Sequence, residues 1–384
     1  MRSLCFFSGN RSEYGLVRPL LRAVRERPDL SSCLILSGAH VSGDFGATAT
    51  EVESTLVDRL IPVPLTVPLD GSLASVVSGY AELTGKAGEI LLRLRPDFLV
   101  ILGDRAESLA VAAVAHLANI AIAHLYGGDL SQGGQWDDNN RHALTKLAHL
   151  HFVSNPDSAR RVLGLGEEPW RVHEFGATSV DNFLEGEYTP EGELREKYGL
   201  KSGEPFILFT QHPVSSQSDQ AFAQAMESLA ALVTLGVPTI ITYPCQDLGA
   251  DGILRAIDCH RQESHFRIHP SLGWRDYVGL LHLHPVVVGN SSSGLLETPI
   301  VKCPCVNIGS RQEGRLRAGN VLDVGHDREA IAAAVRRALF DPEVAARVRA
   351  VRNPYGEGGA SRKIAEVLAM VPRDRRLLTK KMTY

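Results

Sequence analysis

The sequence predicts an α/β protein of two doubly wound domains, similar in size, whose sheets face one another across a cleft. Three observations carry that reading. The chain has 384 residues, more than the roughly 250 to 300 at which a single core stops growing. Short, nearly continuous apolar runs alternate with longer amphipathic stretches, the pattern of parallel strands covered on both faces by crossover helices. The alternation is interrupted once, from about Asp181 to Glu204, after which a second series of strands begins.

In the first series, strands are expected at 2–8 (RSLCFFS), 33–37 (CLILS), 98–102 (FLVIL), 120–125 (IAIAHL), 149–154 (HLHFVS) and 171–175 (RVHEF). Leu16, Leu20, Leu21 and Val24 recur at helical spacing, which predicts a helix over 12–27, and 105–118 and 137–148 show the same pattern. The second series places strands at 205–210 (PFILFT), 238–244 (PTIITYP), 265–270 (HFRIHP), 285–290 (PVVVGN) and 304–309 (PCVNIG). The stretch from Asp327 to Met370 reads as helical, broken at Asn353-Pro354-Tyr355-Gly356 and at Gly358-Gly359. The expected domains are therefore residues 1–178, joined by a C-terminal helix over about 360–384 that crosses back, and residues 179–359. The basic stretch from Arg373 to Lys381 reads as a frayed end.

Composition excludes several classes. The formal net charge is −4 and the Lys and Arg residues are scattered, so no nucleic-acid partner is expected and any anion is bound locally. The first apolar run is far shorter than a signal or membrane segment, which points to a cytoplasmic protein with no membrane partner. The cysteines at 5, 33, 245, 259, 303 and 305 show no paired Cys-x-x-Cys spacing, so they read as reduced packing thiols, and no metal site is expected. The first loop, Gly9-Asn10-Arg11-Ser12-Glu13-Tyr14-Gly15, lacks the close-approach glycines of a dinucleotide fingerprint, and no Walker motif is present. No cofactor is expected.

In open α/β sheets, ligands bind beyond the carboxyl ends of the strands. The residues standing there are 9–13, Gly103-Asp104-Arg105, Tyr126-Gly127-Gly128-Asp129, Gln211-His212-Pro213, 244–247, 290–297 and 309–315. Among them, Asn290-Ser291-Ser292-Ser293-Gly294 opens a helix whose first amides suit a diphosphate, although a serine-rich cap is the plainer reading. Glu297 lies one turn beyond Ser293, where a carboxylate can accept both hydroxyls of a ribose. Asp137 and Asp138 begin a helix; one is expected to cap it and the other to serve as acid or base, with Arg141 orienting it. Asp104 follows a fully apolar strand and so requires a partner or a ligand. His212 is placed for proton transfer or a phosphate contact, and Arg11 for a phosphate. The histidines at 149, 151, 282 and 284 read as structural.

Taken in order, seven strand-end motifs resemble the hydrolysing UDP-N-acetylglucosamine 2-epimerases of sialic and legionaminic acid synthesis: GNRSEYG (9–15), LGDRAE (102–107), HLYGGD (124–129), WDDNNRHALTKLAHLHF (136–152), TQHPV (210–214), GNSSSGLLETP (289–299) and VNIGSRQEGR (306–315). The resemblance covers essentially the whole chain. It implies two facing Rossmann-like domains of the glycosyltransferase-B type, with a UDP-sugar held mainly by the second. Ser291, Ser292 and Arg11 would hold the diphosphate and Glu297 the ribose, with Asn290 and Arg311 in the same binding loops. His212 would lie by the diphosphate and sugar. Asp104, Asp129 and Asp137 match the acidic residues around the ring, Asp137 moving the proton at carbon two. A homodimer or homotetramer is also implied.

The implied reaction removes the carbon-two proton as UDP leaves, giving a glycal, and then adds water with reprotonation on the opposite face. The chain departs from the family pattern at Tyr126, Asp129, Cys245 and Asn10, so the sugar-facing side is expected to be altered and a diacetamido hexose stays open as substrate. A glycosyltransferase of the same fold, a non-epimerising UDP-sugar hydrolase and a sugar-nucleotide sensor are the alternatives. Hinges are expected near Thr178 and Pro354.

Overall fold

The first apolar run forms β1 (Arg2–Ser8), whose last five residues are buried. The computed structural model describes residues 1–41, 52–66, 73–131, 135–184, 186–245 and 247–384. After β1 come β2 (Leu30–Leu36), β3 (Arg59–Pro62), β4 (Phe98–Leu102), β5 (Ala121–Leu125), β6 (Leu150–Val153) and β7 (Val172–Glu174). They make one sheet in the order β3-β2-β1-β4-β5-β6-β7, parallel throughout. The second series is β8 (Ile207–Thr210), β9 (Thr239–Thr242), β10 (Phe266–His269), β11 (Val286–Gly289), β12 (Cys305–Ile308) and β13 (Val321–Val324). Its order, β10-β9-β8-β11-β12-β13, repeats the doubly wound pattern of the first.

The sequence reading misses β3 and β13, for one physical reason. Both are edge strands, and only Leu322 in the two is buried. An edge strand half open to solvent needs no continuous apolar run, and Arg59-Leu60-Ile61-Pro62 and Val321-Leu322-Asp323-Val324 have none.

Two units result: Met1–Asp129 with Trp136–Leu184 and Tyr355–Tyr384, and Leu130–Gln135 with Glu185–Pro354. Each has its own core. Phe7, Ile35, Leu99, Ile101 and Ile122 meet Leu83, Leu91 and Val111 in the first. Phe209, Ile241, Val288 and Val306 meet Leu229, Leu232 and Val335 in the second. A fully buried side chain of this kind contributes about 1.5 to 3 kcal/mol.

The first unit extends to Leu184 because hydrogen bonds hold the segment there. Thr178 Oγ1 donates to Leu16 O at 2.5 Å and Asn182 Nδ2 to Gly15 O at 2.8 Å, both on the helix Arg11–Arg25. The returning helix Ala360–Met370 starts on Asp181, whose carboxylate accepts from Gly359 N at 2.5 Å and Ser361 N at 2.8 Å, an anion at a helix N-terminus.

The basic end is not frayed. Arg171, fully buried, donates to Leu377 O at 2.8 Å and Arg376 O at 2.7 Å. Lys380 pairs with the buried Glu167 at 2.7 Å. The end keeps exposed basic side chains, Arg373, Arg375, Arg376 and Lys381, on a backbone fixed by the buried Arg171.

Among the described residues, no helix is long and apolar enough to cross a membrane. No group of three His, Cys, Asp or Glu is arranged to hold a metal among them.

Candidate active site

Strand order reverses between β1 and β4 in the first unit and between β8 and β11 in the second. At such a switch point neighbouring crossovers leave in opposite directions and open a crevice beyond the strand ends. The loops after β1, β4, β8 and β11 carry most of the residues expected from sequence.

In the second unit β11 ends at Gly289, whose φ of +127° and closeness to the Thr210 carbonyl admit no side chain. Asn290 follows, 1% exposed. Its Oδ1 accepts from His212 N at 2.6 Å and its Nδ2 donates to His212 O at 2.9 Å. His212 Nδ1 in turn accepts from Cys245 N at 3.0 Å. An Nδ1 that accepts a backbone N–H leaves the ring proton on Nε2, so His212 is fixed as an Nε2–H donor. Arg311 Nη1 and Gln312 Nε2 donate to Asn290 O at 3.2 and 2.8 Å. Arg311 lies 4.0 Å from Asp247. Asn290, expected as a ligand contact, thus has its side chain engaged in holding His212.

Ser291 and Ser292 stand half-buried beside it. The helix that follows is a single turn, Ser293–Leu296. The helix-end field expected there is therefore that of one turn, because the macrodipole grows from aligned peptide units and one turn aligns few. Ser293 Oγ donates to Glu297 Oε2 at 2.5 Å and also bonds the Tyr277 hydroxyl. The Tyr277 hydroxyl is held far above the ordinary tyrosine range, by burial first and by the Glu297 charge second. Protonated Tyr277 donates to Ser293, Ser293 donates to Glu297, and the carboxylate is aimed by this chain.

In the first unit Asp104 and the helix Gln135–Leu147 meet at Arg141. Arg141, 1% exposed, ion-pairs with Asp104 through Nη2 and with Asp138 Oδ1 at 2.5 Å, and donates to Asp129 O at 2.7 Å. Arg141 is thus a partner of the kind Asp104 requires, and Arg105 pairs with Glu107 at 3.4 Å. Asp137 stands half-buried in the same first turn.

Asp129 meets Arg141 through its backbone carbonyl, and its side chain turns to other partners. Its Oδ1 accepts from Ser154 Oγ at 2.7 Å, Asn155 Nδ2 at 3.2 Å and Ser158 Oγ at 2.5 Å, so it anchors the start of the helix Pro156–Gly164. Tyr126, a departure expected on the sugar-facing side, is buried with a φ of +63°. Its hydroxyl accepts from Ser179 N at 3.2 Å and lies 3.0 Å from Thr178 Oγ1. The side chain of Arg11 lies outside the described residues.

Two buried groups were not singled out from sequence. Glu13 is the third residue of its helix after the Asn10 cap, a capping-box position legible in Asn10-Arg11-Ser12-Glu13. His124 sits within β5 with Nε2 2.8 Å from Gly103 O, and burial pushes its pKa down to about 3. Nothing in an apolar strand signals that contact.

Two Rossmann-like units with polar residues gathered at their switch points define the glycosyltransferase-B class of fold. A solved UDP-GlcNAc 2-epimerase from Neisseria meningitidis, bound to UDP-GlcNAc, shares it at a TM-score of 0.80 with 18% identity, covering 96% of this chain and 99% of that one. The family model for UDP-N-acetylglucosamine 2-epimerase matches residues 22–369, and the chain belongs to that family. It is 30% identical over 386 residues, all of both chains, to a UDP-N,N'-diacetylbacillosamine 2-epimerase (hydrolyzing) of Legionella pneumophila. It is 33% identical over 331 residues, 84% of each chain, to a GDP/UDP-N,N'-diacetylbacillosamine 2-epimerase (hydrolyzing) of Campylobacter jejuni.

Proposed function

We propose that this enzyme is a hydrolysing 2-epimerase acting on a UDP-linked 2-acetamido hexose, foremost a UDP-diacetamido-trideoxyhexose. It releases UDP and the free sugar inverted at carbon two. The observation that carries the reading is the buried Arg141 tying Asp104 and Asp138 beside Asp137 at a strand-end switch point. That arrangement gathers the carboxylates that proton transfer on two faces of a sugar needs. The similarity to two hydrolysing diacetylbacillosamine epimerases supports the choice of sugar.

In this reading a carboxylate, assigned to Asp137, takes the proton from carbon two. The electrons of that C–H bond form the carbon one–carbon two double bond as the carbon one–oxygen bond to UDP breaks. That proton is weakly acidic, so stabilising the departing diphosphate lowers the barrier most. The roles assigned are an Nε2–H hydrogen bond from His212, contacts from Ser291, Ser292, Arg311 and Arg11, and a ribose contact from Glu297. Water then adds to the glycal, its hydroxyl to carbon one and a proton to carbon two on the other face, with Asp104 assigned as the second transfer group. Asp129 and Asn290 are positioning residues, since their side chains engage protein partners. We assign the product to sialic or legionaminic acid synthesis in the cytoplasm and the enzyme to a homodimer or homotetramer, measured by analytical ultracentrifugation.

Proton NMR in deuterated water, with UDP-N-acetylglucosamine and a UDP-diacetamido-trideoxyhexose as alternative substrates, tests the reaction. Free inverted sugar carrying deuterium at carbon two is expected from the diacetamido substrate. UDP release without label would instead mark a plain hydrolase.

A further inference from the structure

Glu13 bridges the two loops at the switch point of the first sheet. Asn10 Oδ1 accepts from Glu13 N at 3.1 Å, and Glu13 Oε2 accepts from Gly9 N at 2.7 Å. Glu13 Oε1 accepts from Ser108 Oγ at 3.3 Å, and Ser108 lies in the first turn of the helix Ala106–Leu117, which begins directly after Asp104-Arg105. One carboxyl therefore fastens the loop after β1 to the loop after β4. Capping alone does not require this burial. Glu13 is 4% exposed, and the side chain that caps its helix is that of Asn10.

We propose that Glu13 is a positioning residue for the reaction: through Gly9 and Ser108 it fixes the Asp104 loop, and its negative charge makes Asp104 the stronger proton acceptor. The inference rests on the reading of Asp104 as a proton-transfer group. The charged groups facing Glu13 are Arg105, Glu107 and Asp104. Burial first, and then Glu107 and Asp104, raise its pKa to about 7 against the opposing pull of Arg105 and the Gly9 amide. Its charge state therefore changes at neutral pH, and the charged, activating form predominates above it.

Glu13→Gln keeps an acceptor for Gly9 and a polar partner for Ser108 but never ionises. In the wild type kcat is expected to rise as pH climbs through about 7. In E13Q that limb is absent, kcat above it is several-fold lower, and KM is unchanged. Arg105→Gln removes the cation that lowers Glu13, so the limb moves to higher pH. An E13Q enzyme with the wild-type kcat and limb, or an R105Q enzyme with an unmoved limb, overturns the proposal and leaves Glu13 a helix cap. Wild-type turnover is measured first. If the wild type turns over neither UDP-sugar, the reading of the reaction fails, and Glu13 is decided by infrared titration of its carboxyl, the difference between wild type and E13Q. Titration near neutrality then supports the buried bridge, and titration in the ordinary carboxylate range overturns it.

Discussion

Asn290 and His212 hold each other by a reciprocal pair of hydrogen bonds, His212 N to Asn290 Oδ1 at 2.6 Å and Asn290 Nδ2 to His212 O at 2.9 Å. Both residues are buried, so Asn290→Ala leaves a backbone N–H and C=O unpaired, at a cost of about 1 to 3 kcal/mol each. His212 also loses the strut that sets its ring against Cys245 N. The expected outcome is a lower melting temperature and UDP binding weakened about tenfold, or ~1.4 kcal/mol. Thermal unfolding and calorimetric titration with UDP measure the two effects. Wild-type UDP affinity in N290A would show that His212 needs no such alignment.

Arg141 separates structural from chemical roles in the first unit. Removing one partner of a buried ion pair costs about 3 to 5 kcal/mol, and Arg141→Met strips the cation from both Asp104 and Asp138. A sharp loss of stability and turnover is expected. Arg141→Lys restores the charge, but a point ammonium cannot span the positions that the guanidinium fork reaches. R141K is therefore expected to recover much of the stability seen in urea unfolding while kcat stays low. Recovery of both would make Arg141 a counter-ion and nothing more.

Tyr126→Phe decides what the departure at this position does. Thr178 Oγ1 donates to Leu16 O, so the Tyr126 hydroxyl donates to Thr178 while accepting from Ser179 N. Loss of the two bonds should cost about 1 to 3 kcal/mol. The ratio of kcat/KM for UDP-N-acetylglucosamine and the diacetamido substrate should not change. A shifted ratio would return Tyr126 to the sugar-facing side.

The legible part of the fold was what burial writes into sequence. Central strands such as Phe98–Leu102 and Val286–Gly289 are covered on both faces and must be apolar, whereas the edge strands β3 and β13 are under no such demand. Candidate residues at strand ends stand out for a related reason, since a simple turn needs no Asp104 or His212. Partners were not legible. That Asn290 engages His212, that Arg141 reaches Asp104 across 37 positions, and that Asp129 anchors a helix depend on neighbours brought together by crossovers, which spacing along the chain does not encode. The same holds for the end of the chain, where Arg373, Arg375, Arg376 and Lys381 are exposed while the buried Arg171 holds the backbone and the buried Glu167 holds Lys380.

Acid should destabilise the protein earlier than its carboxylates alone would require. Burial first, then nearby cations and other histidines, lowers His149 to about 4 from the ordinary 6.5; burial lowers His151 to about 4 against the opposing pull of Glu167, and His124 to about 3. Each stays neutral when folded but binds a proton near 6.5 when unfolded, so stability is full above that pH and is lost as pH falls from there toward the folded values. Glu167 adds a second window. Burial opposes its charge, but hydrogen bonds from His151, Lys146 and Lys380 hold it at about 2 against the ordinary 4.5, so its contribution is lost between those values. Urea unfolding against pH should show a steep decline beginning near 6.5, shallower in His124→Gln. A curve flat down to 5 would contradict these buried neutral imidazoles.

Glu13 has the opposite sign. Its folded pKa of about 7 exceeds the ordinary 4.5, so the folded state binds the extra proton between those values. Stability therefore falls as pH rises from 4.5 to 7 and is level above. At 1.36 kcal/mol per unit, the buried charge costs on the order of 3 kcal/mol at alkaline pH. Glutamine carries no charge and keeps the hydrogen-bonding shape, so Glu13→Gln should melt higher than the wild type at pH 8 and nearly with it at pH 5. Together with the lower kcat expected of the same variant, that result would identify stability given up at this position for the reaction. Equal melting temperatures at both pH values would mean that the Glu13 carboxyl is solvated and does not carry the burden assigned to it.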